Sequence, residues 1–327
     1  ESAAAYDAYL LGRSYWAKRT PESLHTAIKH FKHAIELDPN YALAYCGLAD
    51  AWIVMPYYVP GPYNKINAEA MKAAERALAL NDSLAEAHVS MASVLADRGD
   101  CETANAHYQK AIAIDPNNAT AHQWYGGTLS HQERFDQAAE EYDKAIALDP
   151  LSAVMHNEYG DASVMARRFD KAIEQLNEAL RLQTDFKVAY VSLTWAYIGK
   201  ENHNAAATAF ESYLRIIDQP AESITKFRRT YDASSLRAGI LEWLDSLGND
   251  FDSWGAGPAR RAPLYAWCNE KDRAFESLDR AIKRGSPLLD RIAIYFPYDN
   301  LRDDPRYADL LKRIAAKNRT EEVQPHP

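Results

Sequence analysis

The sequence predicts an all-α fold: a right-handed superhelical solenoid of helical hairpins, extended by one long extra helix and closed by a C-terminal capping helix. Three observations carry that prediction. One pattern recurs every 34 residues, its phase marked by Asn81, Asp115, Asp149 and Gln183. Each copy sets Ala, a bulky residue and Ala at helical spacing, as in ANAHYQKAIAIDP, AAEEYDKAIALDP and AIEQLNEALRLQT. Each copy closes on Asp-Pro or a close substitute, and the residue before Pro is driven out of the helical region. A single hairpin cannot bury its own apolar face, so neighbours at this period stack into a continuous core.

The elements follow in order. The first copy opens with YDAYLLGRSYWAK around Gly12 and closes through Ala27, Phe31, Ala34 and Asp38-Pro39. Between its halves, Thr20-Pro21-Glu22-Ser23 supplies a helix start with Pro early in the first turn. The second copy runs from YALAYCGLADAW to Ala70, Ala74, Ala77 and Asn81, with an insertion near 55–64, MPYYVPGPYN. Its prolines and tyrosines break the helix and make an elaborated loop. Tyr57, Tyr58 and Tyr63 are candidate contacts there, because loops on rigid scaffolds carry function. Packing of those tyrosines on the adjacent hairpin accounts for the loop equally well.

In the regular copies Ala104, Ala111, Ala138, Ala145, Ala172 and Ala179 mark close helix crossings, and Gly126 and Gly160 do the same on first helices. Tyr108, Tyr142, Leu176 and Phe210 are the bulky knobs between them. A sixth copy spans Lys187 to Asp218. The array of six therefore occupies 1–220, followed by a long helix and loop at 221–257. A degenerate hairpin and the cap occupy 258–318, and 319–327 reads as a disordered tail. The cap starts at Asp304-Pro305 and covers the open end that a terminal solenoid unit must close.

Composition narrows the function classes. The 327 residues carry a net charge of -9 and are 47% hydrophobic and 25% charged, which fits a folded chain. The acidic balance argues against direct nucleic-acid binding, which needs a basic footprint. No apolar run approaches the roughly 18 residues that span a bilayer, and no signal peptide is expected from these residues. Cys46, Cys101 and Cys268 lie far apart without metal-ligand spacing, so a reducing, cytoplasmic setting is inferred and no metal or other cofactor is expected. The chain opens on Glu1, so flanking sequence outside it is expected.

The repeat resembles that of bacterial tetratricopeptide repeat proteins over nearly the whole chain. Three segments are similar to a narrower group: the opening YDAYLLGRSYWAKRTPESLHTAIKHFKHAIELDPNYALAYCGLADAW, then NEKDRAFESLDRAI, then DNLRDDPRYADLL. That group comprises C-terminal modules of bacterial signalling proteins: winged-helix regulators of the CadC or OmpR type, adenylate cyclases and serine/threonine kinases. The resemblance implies a protein- or peptide-binding scaffold in a regulatory or signalling assembly. One alternative is a sensor or oligomerisation module controlling an N-terminal DNA-binding, cyclase or kinase domain. Another is a self-associating scaffold.

The family lines its concave face with the first helix of each hairpin. Helical spacing then nominates a stripe: Tyr6, Tyr9, Arg13 and Trp16; Cys46, Asp50 and Ile53; Val89 and Ser93; Gln123 and Gly127; Asn157 and Asp161; Val191, Trp195 and Ile198. Tyr9, Arg13, Trp16, Asp50, Gln123, Asn157, Asp161 and Trp195 are the candidate ligand contacts, since Tyr, Trp and Arg are frequent binding anchors. Trp16 and Trp195 serve equally well as fillers between repeats. Chaperone-docking relatives clamp a terminal carboxylate with Lys and Asn. Asp50 and Asp161 stand in the stripe here, which favours a basic or aromatic-bearing segment. Enzyme chemistry finds no footing. His25, His30 and His33 lack a completing ligand, Glu140-Glu141 and Asp303-Asp304 diverge on their helices, and no nucleophile or phosphate-loop motif is present.

Overall fold

The computed structural model describes residues 2–59, 63–247 and 257–320. Among them every regular element is helical. The hairpin helices are α1 (Ala3–Ala17) and α2 (Pro21–Leu37), α3 (Ala42–Val54) and α4 (Tyr63–Leu80), α5 (Ala85–Asp97) and α6 (Cys101–Ile114), then α7 (Ala119–His131) and α8 (Phe135–Leu148). They continue with α9 (Ala153–Met165) and α10 (Phe169–Leu182), then α11 (Lys187–Gly199) and α12 (His203–Ile216). Beyond the regular copies come α13 (Ala221–Ala233), α14 (Leu236–Ser246), α15 (Pro258–Trp267), α16 (Lys271–Arg284) and α17 (Pro305–Thr320). Short 3-10 turns occupy Met55–Tyr57, Pro287–Arg291 and Phe296–Leu301.

The stop signals act as the sequence implies. Asp38, Asp115 and Asp149 leave the helical region at ψ 94°, 94° and 79°. Gln183, which precedes Thr184, does the same at ψ 98°, so proline is sufficient but not required. Within hairpins the tight turn places Gly99, Glu133, Arg167 and Glu201 in the left-handed region, again one period apart.

Small residues set the helix separation. Ala104, Ala111, Ala145, Ala172 and Ala179 are fully enclosed, and Tyr108, Tyr142, Leu176 and Phe210 are buried beside them. A Cβ on Gly160 would lie 2.5 Å from the Leu176 side chain, and one on Gly12 would lie 2.5 Å from the Phe31 ring. Tyr108 stacks on Tyr125 with centroids 5.3 Å apart, and one period later Tyr142 stacks on Tyr159 at 5.2 Å.

Two departures from the expectation concern the later elements. The stretch read as one long helix is two, because Ser235 Oγ accepts the Ala238 N–H at 3.2 Å and caps a new start. The break lets Phe227 and Trp243, both enclosed, reach Phe210 at 5.2 and 5.3 Å. Residues 319 and 320, read as tail, continue α17. The rest of that tail, residues 321–327, lies outside the described residues, as does most of the loop expected after α14, 248–256.

The chain's contacts divide it into two compact units. The first holds residues up to Thr128 with Arg284–Leu288 and the end of α17; the second holds Leu129–Lys283 and Leu289–Ile314.

Candidate functional site

In the first unit α1 supplies Tyr9, Arg13 and Trp16, α3 supplies Asp50 and α7 supplies Gln123. Arg13 Nη1 donates to Asp50 Oδ2 at 3.0 Å, and Ser90 Oγ donates to Asp50 Oδ1 at 2.6 Å. Burial pushes the Asp50 carboxyl above the usual range, while Arg13 and Ser90 pull it back. The Trp16 ring lies 4.3 Å from the Arg13 guanidinium, 3.7 Å from that of Arg19 and 6.3 Å from Trp124. Its Nε1–H is buried and meets no acceptor among the described residues. Tyr9 is half-buried against Phe31 and Tyr41, with centroids 6.0 and 5.5 Å away, and burial lifts its hydroxyl to about 12. Gln123 is 3% exposed, and its Nε2 also finds no partner among the described residues.

In the second unit α9 supplies Asn157 and Asp161, and α11 supplies Trp195. Asp161 accepts from Ser192 Oγ at 2.8 Å and from Arg291 Nη1 at 2.7 Å. Its arrangement repeats that of Asp50: Ser192 stands three periods after Ser90, in the same phase. Asn157 is 6% exposed and its Oδ1 receives no donor among the described residues. Trp195 is enclosed at 2% exposure, edge-on to Trp267, Tyr295 and Phe296 at 6.3, 6.1 and 5.9 Å. The chain's own segment from Arg291 to Phe296 therefore covers this part of the stripe. As placed, Trp195 offers a ligand no surface.

The loop candidates separate. Tyr57 and Tyr58 are half-buried at the end of the Met55–Tyr57 turn, and Tyr63 is the first residue of α4. Residues 60–62 between them lie outside the described residues. The three histidines of α2 likewise turn to separate partners. His25 Nδ1 meets the Pro21 carbonyl at 2.7 Å, His33 meets Glu36 at 3.4 Å and His30 stacks on Tyr15 at 5.4 Å.

One expectation loses its footing. Asp50 and Asp161 were the reason to favour a basic ligand, yet Arg13 and Arg291 already neutralise them. Arg19, Ser90, Ser192 and Arg291 escape a reading of the sequence alone. The shared phase of the two serines is a usable signal. Nothing local ties Arg291 to an acid 130 residues earlier. Among the described residues no helix is long and apolar enough to cross a membrane.

Comparison with known proteins agrees with this geometry. Residues 95–157 match the tetratricopeptide repeat family. A monomeric mutant of IFIT1 bound to m7Gppp-AAAA is 17% identical, covering 90% of this chain and 68% of that one, with a TM-score of 0.59. The Cut9–Hcn1 assembly of the APC/C is 16% identical over 67% of this chain and 44% of that one, with a TM-score of 0.50. PilF of Pseudomonas aeruginosa is 18% identical over 81% of this chain and 97% of that one, with a TM-score of 0.48. No curated protein matches the chain. Identities this low speak to fold alone. Together with the family match over residues 95–157, the 34-residue phase and the stacked hairpins give the chain an all-α solenoid fold of the tetratricopeptide repeat type.

Proposed function

We propose that the chain is a scaffold that binds protein or peptide segments on the first helices of its hairpins, within each compact unit taken by itself, reading them chiefly through the main chain. One observation carries this reading. Gln123 and Asn157 hold the same phase of successive repeats, and each keeps a buried amide atom with no partner among the described residues. An unsatisfied buried polar group costs about 1–3 kcal/mol, so retaining one in each of two repeats has a stability cost that binding would offset. As placed both amides are enclosed, so a segment meets them only when these side chains turn outward. Main-chain N–H and C=O groups of an extended segment are then the complementary chemistry. The paired state of Asp50 and Asp161 points the same way, since neither has charge to spare for a side chain of the ligand. A regulatory or signalling setting rests on the three signature segments, the opening hairpin, NEKDRAFESLDRAI and DNLRDDPRYADLL.

The test is selection of a displayed random-peptide library on the native chain and on a Gln123→Leu, Asn157→Leu double variant. Peptides enriched on the native chain are lost on the variant, while its melting temperature stays level or rises because two unsatisfied groups are gone. Equal enrichment on both moves the working surface away from the stripe.

A further inference from the structure

Three first helices carry histidine at one phase of the repeat: His88 in α5, His122 in α7 and His156 in α9. Each ring sets Nε2 against the carbonyl six residues earlier, at 2.9 Å for Asp82, 3.0 Å for Pro116 and 3.3 Å for Pro150. A carbonyl only accepts, so in the neutral ring Nε2 carries the hydrogen and Nδ1 is left as an acceptor. The residue facing Nδ1 differs between hairpins. In the α9–α10 hairpin it is the Gln175 carboxamide, 2.7 Å from His156. In the α5–α6 hairpin it is a second histidine, His107, whose Nδ1 lies 2.8 Å from that of His88.

The two partners answer acid differently. A carboxamide can turn either its N–H or its oxygen toward the ring, so it serves both protonation states of His156. The histidine pair holds no more than one excess proton. With both rings neutral, His107 Nδ1–H donates to His88 Nδ1. One added proton on either ring is tolerated, because the other ring can present a bare nitrogen. A second proton sets two N–H groups face to face at a distance that permits one hydrogen.

We propose that the α5–α6 hairpin is an acid-responsive element, which opens as the His88–His107 bond is doubly protonated while the α9–α10 hairpin stays closed. His88 is buried, and His107 is partly exposed on the outer side of the pair, where protons reach it. The charged groups facing the pair are Asp82 in the turn before α5, Asp100 at the N-cap of α6 and Lys110 within α6. Burial lowers both imidazoles from 6.5, and for His107 the neighbouring His88 and Lys110 lower it further. Because the folded values lie below the unfolded one, the stabilising contribution is whole above about pH 6.5. It is lost as pH falls through that value toward the lowered ones.

Hydrogen exchange on the whole chain tests the idea, comparing about pH 7.5 with about pH 5.5 after correction for intrinsic rates. In the native chain, exchange in α5–α6 accelerates by up to about tenfold for each depressed imidazole over this pH interval, with α9–α10 as the internal reference. A His107→Gln variant, which copies the pairing of His156, shows no such acceleration. Equal acceleration in both proteins, or none in the native chain, overturns the proposal. Should His107→Gln not fold, titration of the imidazole resonances in the native chain decides: values for His88 and His107 at or above about 6.5 overturn it equally.

Discussion

Gly160 shows what a single residue settles in this fold. Its missing side chain is what lets α9 approach α10, because a methyl there would meet Leu176 at 2.5 Å. Gly160→Ala is therefore expected to destabilise the chain by about 1–3 kcal/mol, read as a lower midpoint in urea with unchanged slope. This role was legible in the sequence, since small residues repeated at a fixed phase mark the places where helices cross closely. The state of Asp50 and Asp161 was not. A carboxylate in a stripe is read as available charge until the arginine beside it is known. Arg13 lies 37 residues from its acid and Arg291 lies 130 away, beyond the reach of any periodic argument.

Individual elements follow the repeat until α12 and then depart from it. Ser234 and Ser235 divide what hydropathy joined, and the signal was present as a capping serine that the helical pattern of TYDASSLRAGI obscured. The covering of α11 by the segment from Arg291 to Phe296 was not legible, because aromatic runs in short turns have no period. Trp195 is consequently a packing residue of its element as placed. Trp195→Ala should cost about 3–5 kcal/mol by opening a cavity against Trp267, Tyr295 and Phe296, visible as a lower melting temperature. Any loss of binding in that variant would be inseparable from loss of structure, which makes Gln123 and Asn157 the better positions for a binding test.

Across the whole molecule the thiols report on closure. Cys46 and Cys268 are buried, and burial raises the first thiol well above its ordinary value and the second to about 12. Cys101, partly exposed at the head of α6, is the accessible one. A thiol reagent at neutral pH should therefore titrate one cysteine quickly and the other two only as the chain opens. Three fast thiols in the folded protein would contradict the burial of Cys46 in α3 and of Cys268 at the C-cap of α15. The fold class was legible at this scale because the period fixes which faces stack. The division into two units was not, since it depends on where Arg284–Leu288 and α17 return.

The Phe31 ring fills the gap left by two glycines at once, Gly12 on α1 and Gly47 on α3. One side chain thus acts as a common gauge for the first two hairpins. A smaller ring that relieved a substitution at either glycine would loosen the fit at the other. The three positions are free to change only together, and their mutational effects are coupled through a residue that belongs to neither first helix.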